Sequence, residues 1–194
     1  MMRRRTLLAA ASVGWPAAAA LANSDPPAHR EALVALRAGG CVVAMRHALA
    51  PGTFDPPEFR LGDCATQRNL SEAGRAQARR IGDWFKGQRL APAVVLSSPW
   101  CRCVDTAMLA FGGARVWSAL GSPHNSDAST NAARMPLLGE RLAAAGGREG
   151  FEVWVTHMFV IAELSAANTA SGEALVLRSA PGGRVEVLAR LALA

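Results

Sequence analysis

Three short apolar runs along this chain each end abruptly in charged or hydroxylic residues. Cys41-Val42-Val43-Ala44-Met45 stops at Arg46-His47, Ala93-Val94-Val95-Leu96 stops at Ser97-Ser98-Pro99-Trp100-Cys101-Arg102, and Phe151-Glu152-Val153-Trp154-Val155 stops at Thr156-His157. Unbroken apolar runs of this length predict strands buried on both faces, as in a parallel sheet. Between them lie segments of helical period. Pro26 to Arg37 reads as a helix closed by Gly39-Gly40. Ser71 is placed to cap a helix to about Gly87 whose Ala78, Ile81, Trp84 and Phe85 share one face, a stripe that belongs to the core.

Ser98 as cap and Pro99 at the first helical position predict a helix from Pro99 to Phe111. Ala114 to Leu120 reads as a further strand, Ala128 to Ala145 as a helix broken or kinked at Pro136, and Phe159 to Ala167 as a short helix. Gly172 to Ser179 and Arg184 to Leu191 predict a closing hairpin around Pro181-Gly182-Gly183. The alternation predicts an α/β protein: a three-layer sandwich with a mostly parallel central sheet covered by helices. No internal repeat or low-complexity linker divides it.

In such a sheet, ligands bind beyond the carboxyl ends of the strands. If the three runs are parallel neighbours, His47, His157, Arg46 and Arg102 meet in one small volume, and Arg102 falls in the first turn of a helix, near free backbone N–H groups. That volume suits a phosphate. The connection from Ala50 to Asn69, with Pro51-Gly52, Pro56-Pro57 and Gly62-Asp63, is long enough to be read as functional.

The amino terminus changes where this site is expected to work. Met1-Met2-Arg3-Arg4-Arg5-Thr6-Leu7-Leu8 leads into an Ala-rich stretch ending at Ala20-Leu21-Ala22. A basic start, an apolar middle and small residues at the end predict a removable signal peptide over residues 1–22. The arginines before Thr6-Leu7-Leu8 resemble a twin-arginine export signal, which implies a periplasmic protein with one domain over residues 23–194. Cleavage removes three arginines and no acid, halving the formal charge of +6.

What remains is mildly basic, without a Lys/Arg block and without Tyr, so nucleic acid is not an expected partner. No second apolar stretch is long enough to span a bilayer, and no stable membrane association is expected after cleavage. Of the four cysteines, Cys41 reads as a core residue, and a disulfide is expected from Cys64 to Cys101 or Cys103. Paired Cys-x-x-Cys spacing is absent, so no metal site is expected. No Arg stands six residues after any Cys, which excludes the loop of cysteine-based phosphatases.

Arg46-His47-Ala48, Asp63 to Ser71 with Gly74, Ser97-Ser98 with Arg102 and Asp105-Thr106-Ala107, and Thr156-His157 together resemble the histidine phosphatase superfamily, also called phosphoglycerate-mutase-like. The similarity runs from about Arg30 to Leu177. It implies a phosphomonoester hydrolase that needs neither cofactor nor metal and acts on a small phosphorylated substrate. His47 would be the nucleophile, Arg46 and Arg102 would grip the transferring group, and His157 would donate to an equatorial oxygen.

Arg68 and Thr156 are candidate substrate contacts; at Thr156 the family commonly has Gly. The family places its acid after the third strand or, in the phytase-like branch, directly after the second His; Met158 stands at the latter position, which leaves Asp127 as candidate proton donor, with Glu140 further on. Asp105 is expected to orient an Arg, and His29 and His124 to lie on the surface. Two alternatives stand beside hydrolysis: a protein phosphohistidine phosphatase, and a non-catalytic binder of a phosphorylated envelope component.

Overall fold

The computed structural model describes residues 27–193. The expected signal peptide over residues 1–22, with its twin-arginine pattern, lies outside them. Six strands form one sheet: β1 (Cys41–Arg46), β2 (Val94–Ser97), β3 (Arg115–Val116), β4 (Phe151–Thr156), β5 (Glu173–Ser179) and β6 (Val185–Ala192), in spatial order β3-β2-β4-β1-β5-β6. β1 and β4 pair in parallel at the centre, and β2 and β3 continue the parallel half. β5 and β6 close the other side antiparallel, as the predicted hairpin requires.

The helices are α1 (Pro27–Ala38), α2 (Glu72–Gly87), α3 (Cys101–Phe111), α4 (Ala128–Ala145) and α5 (Met158–Ser165). Strand periodicity sorts the core into two layers. Cys41, Val43 and Met45 of β1 face Leu36, Ile81, Phe85 and Ala107 on α1, α2 and α3. Val42 and Ala44 face Leu138 and Leu142 of α4 and Ile161 of α5. A central sheet between two helical layers is therefore what the apolar runs specify, because each run must be covered on both sides.

Local details depart from the sequence expectations. α3 begins at Cys101, with Trp100 as its N-cap and without a side-chain cap; the Ser98 hydroxyl accepts from the Trp100 backbone N–H at 3.3 Å, just ahead of the helix. The expected strand from Ala114 shrinks to two residues before a 3-10 turn at Ser118–Leu120. Pro136 lies inside one continuous α4. On β4, the buried carboxylate of Glu152 is held by Arg141 at 2.8 and 3.0 Å and by the Trp154 indole N–H at 2.9 Å, which is how a charge is tolerated mid-sheet. Gly74 lets α2 approach the chain after β1: a Cβ there would stand 2.0 Å from the Leu49 carbonyl oxygen.

Cys64 and Cys101 form a disulfide, while Cys41 and Cys103 are free and buried. Burial pushes the Cys41 thiol up to about 11 and the Cys103 thiol up to about 12, so neither is a thiolate at neutral pH. The bridge spans 37 residues and ties the long loop to the first turn of α3. Closing a loop of that length constrains the unfolded chain by about 3–4 kcal/mol. Cys64→Ser combined with Cys101→Ser is expected to lower the midpoint of thermal unfolding by about 10 °C, measured by calorimetry on the oxidised protein and the double variant.

Candidate active site

Five chain segments reach one cleft at the carboxyl ends of β1, β2 and β4. It is lined by Arg46, His47, Arg68, Arg102 and His157, with Thr53, Phe54, Asp55, Ser122, His124, Met158 and Phe159 around them. The parallel register of β1 and β4 sets Arg46 opposite Thr156, so the residues that follow, His47 and His157, emerge side by side. Their ring centroids are 5.6 Å apart. The expected convergence of two imidazoles and two guanidiniums is thus met, and Arg68 joins them.

The hydrogen bonds define the tautomers. His47 Nδ1 lies 2.8 Å from the Ala48 carbonyl oxygen, which only accepts, so Nδ1 carries the proton and Nε2 keeps its lone pair. The His47 backbone N–H donates to the Thr156 carbonyl at 3.0 Å, and the Ala48 N–H donates to the Thr106 hydroxyl at 3.0 Å. These bonds hold the turn that presents the ring. In His157, Nδ1 faces Arg102 Nη2 at 3.4 Å and accepts; Nε2–H then donates to the Ser98 hydroxyl at 2.8 Å.

Burial first, then the neighbouring guanidiniums, pulls His47 down to about 3, against an opposing pull from its bond to Ala48. His157 is held well below its usual value by burial, then by His47 and the arginines. Both rings are neutral at physiological pH, as a nucleophilic imidazole must be. The same shifts govern acid stability. Below pH 6.5 the unfolded chain takes up protons that the folded protein refuses, so the stability contributed by these neutral rings is complete above pH 6.5 and drains away as pH falls toward 3. We expect unfolding free energy to drop across that window by up to about 1.4 kcal/mol per pH unit for each imidazole. His47→Asn should flatten the slope in denaturant titrations at stepped pH.

Charge in the cleft is unbalanced. Arg46, Arg68 and Arg102 face a single lining carboxylate, Asp55. The Nε–H groups of all three arginines are buried and make no hydrogen bond among the described residues. A surplus of about two positive charges and spare planar donors matches a phosphate monoester dianion. Arg46 is steadied by its Nη1 bond to the Thr169 carbonyl at 2.9 Å. Burial and then Arg102 pull Arg68 down to about 10, which leaves it charged at neutral pH.

Asp55 is the residue that sequence reasoning missed. It grips Arg102 through two bonds, 2.7 Å to Nη1 and 3.2 Å to Nη2, and accepts from the Trp100 indole at 3.1 Å and the Arg68 backbone at 3.0 Å. Burial pushes its carboxyl up, but the Arg102, Arg68 and Trp100 bonds outweigh this and leave it below the usual range. The loop that carries it is marked as functional by its length alone, and a separation of 47 residues from Arg102 carries no periodic signal.

Two candidate residues are corrected. Asp127 does not reach the cleft: it caps α4, accepting from the Thr130 amide at 2.7 Å and from the Ser129 and Thr130 hydroxyls. Those bonds, Ser129 first, hold it well below the carboxylate range, so it has no proton to give at neutral pH. Thr156 is buried and its hydroxyl donates to the Leu120 carbonyl at 2.6 Å, so it serves His47 through its backbone oxygen and does not line the cleft. His124, expected as a mere surface residue, stands at the mouth of the cleft. Asp105 pairs with Arg75 at 3.3 Å, outside the phosphate cradle. No cluster of metal-ligating side chains occurs among the described residues.

Comparison with known proteins agrees with this fold. Residues 44–119 match the model of the histidine phosphatase superfamily, branch 1. No curated protein matches the chain in sequence. Among solved structures, the protein histidine phosphatase SixA complexed with tungstate aligns over 79% of this chain and 97% of its own, with TM-score 0.55 and 20% identity. Mycobacterial glucosyl-3-phosphoglycerate phosphatase Rv2419c, complexed with VO3, aligns over 76% and 96%, with TM-score 0.56 and 19% identity. A putative SixA from Agrobacterium tumefaciens aligns over 78% and 97%, with TM-score 0.52 and 24% identity.

Proposed function

We propose, for a chain that over residues 44–119 belongs to the histidine phosphatase superfamily and that carries its phosphoglycerate-mutase-like fold, that it is a phosphomonoester hydrolase acting through a covalent phosphohistidine on His47. The observation that carries this reading is the protonated Nδ1 of His47, fixed to the Ala48 carbonyl, beside a cradle of three arginines.

Nε2 of His47 attacks phosphorus and the P–O bond to the alcohol breaks, its electron pair leaving on oxygen. The positive charge that develops on the ring is eased by the Nδ1–H bond to Ala48. Arg46, Arg68 and Arg102 balance the equatorial oxygens as charge spreads over them. His157, expected as a donor to an equatorial oxygen, instead accepts from Arg102 at Nδ1 and donates from Nε2 to Ser98, so it orients that guanidinium toward the group. In the second step water forms a new P–O bond, the P–N bond breaks, and its pair returns to Nε2. Nothing in this sequence requires a metal.

We place the reaction in the periplasm and take residues 23–194 as one domain. The export-signal pattern of residues 1–22 supports this, as does a disulfide, which persists in oxidising compartments. Protein recovered from the envelope should begin at Asn23; an intact Met1 there would overturn the placement. Release of inorganic phosphate from p-nitrophenyl phosphate, with an acid-labile and base-stable label trapped on His47, tests the chemistry.

One observation favours a second reading, that of a phosphohistidine phosphatase. No lining carboxyl is free to protonate a leaving group, and a P–N bond asks for a different proton donor from a P–O bond. Turnover of phosphohistidine peptides measured beside p-nitrophenyl phosphate separates the two.

A further inference from the structure

Two features of the cleft remain unused by this mechanism: an aromatic wall at its mouth and the engagement of its only carboxylate. Phe54 and Phe159 are nearly parallel, 7° between planes with centroids 6.5 Å apart, and the His124 ring stands edge-on to both at 5.0 and 4.8 Å. Phe54 is 61% exposed, a large apolar surface left in water beside charged groups. Each ring sits close in sequence to the phosphate machinery: Phe54 precedes Asp55, which anchors on Arg102, and Phe159 follows two residues after His157.

We propose that Phe54, His124 and Phe159 form the leaving-group subsite and that it takes a planar aromatic alcohol, making aryl phosphate monoesters the substrate class. This rests on the phosphohydrolase reading of the same cleft and narrows it. The rings offer faces and edges suited to stacked and edge-on aromatic contacts. The proton inventory agrees independently. Asp55 is spent on Arg102 and lies below the usual carboxyl range, so among the described residues the lining holds no carboxylic acid to protonate a departing alkoxide.

An aliphatic alkoxide, comparable in basicity to hydroxide, leaves poorly without such a proton. A phenolate, whose conjugate acid has a pKa of about 10, leaves far more readily. In the first step the bond from phosphorus to His47 Nε2 forms, the P–O(aryl) bond breaks, and the pair departs on the phenolate oxygen, which takes its proton from solvent at the open rim.

The test separates binding from turnover. Calorimetry on the full chain should show 2-naphthylmethylphosphonate binding about tenfold or more tighter than methylphosphonate, with the preference reduced to under threefold in Phe54→Ala and Phe159→Ala. In kinetics, phenyl phosphate should exceed hexafluoroisopropyl phosphate, whose alcohol is of similar acidity but not planar, by about tenfold in kcat/KM, carried mainly by KM. His124→Phe, which keeps a ring and removes the imidazole, should retain that preference.

Equal binding of the two phosphonates overturns the subsite. So does loss of aryl turnover in His124→Phe alone, which would make that imidazole a proton donor, or a preference for phosphohistidine over phenyl phosphate. If neither ester turns over while the phosphonate preference persists, the hydrolase reading fails and the aromatic subsite stands.

Discussion

Replacing His47 with Ala is expected to remove phosphate release altogether, a loss on the order of 10⁴-fold or more in kcat, together with the acid-labile phosphoryl label. No other lining group can take over. The second imidazole, His157, has its Nε2 committed to the Ser98 hydroxyl and its Nδ1 to Arg102. The nearest free thiol, Cys103, is fully buried and protonated. His47→Ala should still bind inorganic phosphate, because the three guanidiniums remain, and isothermal calorimetry checks that retention. Residual turnover within tenfold of the original protein, or a label on Ser or Cys, would remove His47 as nucleophile.

Arg102→Ala is expected to act twice. Catalysis should fall by about 10³-fold, since a planar double donor is lost where equatorial charge develops. Stability should fall as well, by about 3–5 kcal/mol, because Asp55, whose side chain is 4% exposed, is left as a buried charge without its partner. The two effects separate in Arg102→Met with Asp55→Leu, where both charges go together: chemical denaturation should show most of the stability regained while phosphate release stays at the Arg102→Ala level. If the double variant recovers activity, Arg102 serves the loop and not the phosphate. Asp55→Asn keeps one acceptor oxygen, enough for the Trp100 indole but not also for the Arg68 amide, and frees the guanidinium from its counter-charge. It should weaken the hold on the loop with a far smaller loss of turnover than Arg102→Ala.

Much of this architecture is legible in the chain because its signals are local. The runs at Cys41, Ala93 and Phe151 are apolar throughout, which only a sheet covered on both faces can satisfy, and the Ser71 cap marks α2 to the residue. His47, His157 and Arg102 were readable because each directly follows a strand or opens a helix, and strand ends are where such a sheet places ligands. Where local rules misled, a competing partner explains it. The Ser98 hydroxyl does accept a backbone N–H, that of Trp100 at 3.3 Å, but it also accepts from His157, and the helix starts at Cys101. Asp127 stands where an acid is expected, but it accepts from the Thr130 amide and from the Ser129 and Thr130 hydroxyls, which makes it the cap of α4.

The sequence by itself thus determined the layers, the strand-end positions of the candidate residues and the chemical types present, since burial periodicity and turn residues act over a few positions; the order of the strands came from the fold. Only the tertiary structure decided which groups touch. That Asp55 neutralises Arg102, that Cys64 pairs with Cys101 instead of Cys103, and that Phe54, His124 and Phe159 wall one cleft depend on how a Pro-rich loop folds back over α3 and α5. Such contacts join residues dozens of positions apart through side-chain geometry, which no periodicity in the chain encodes.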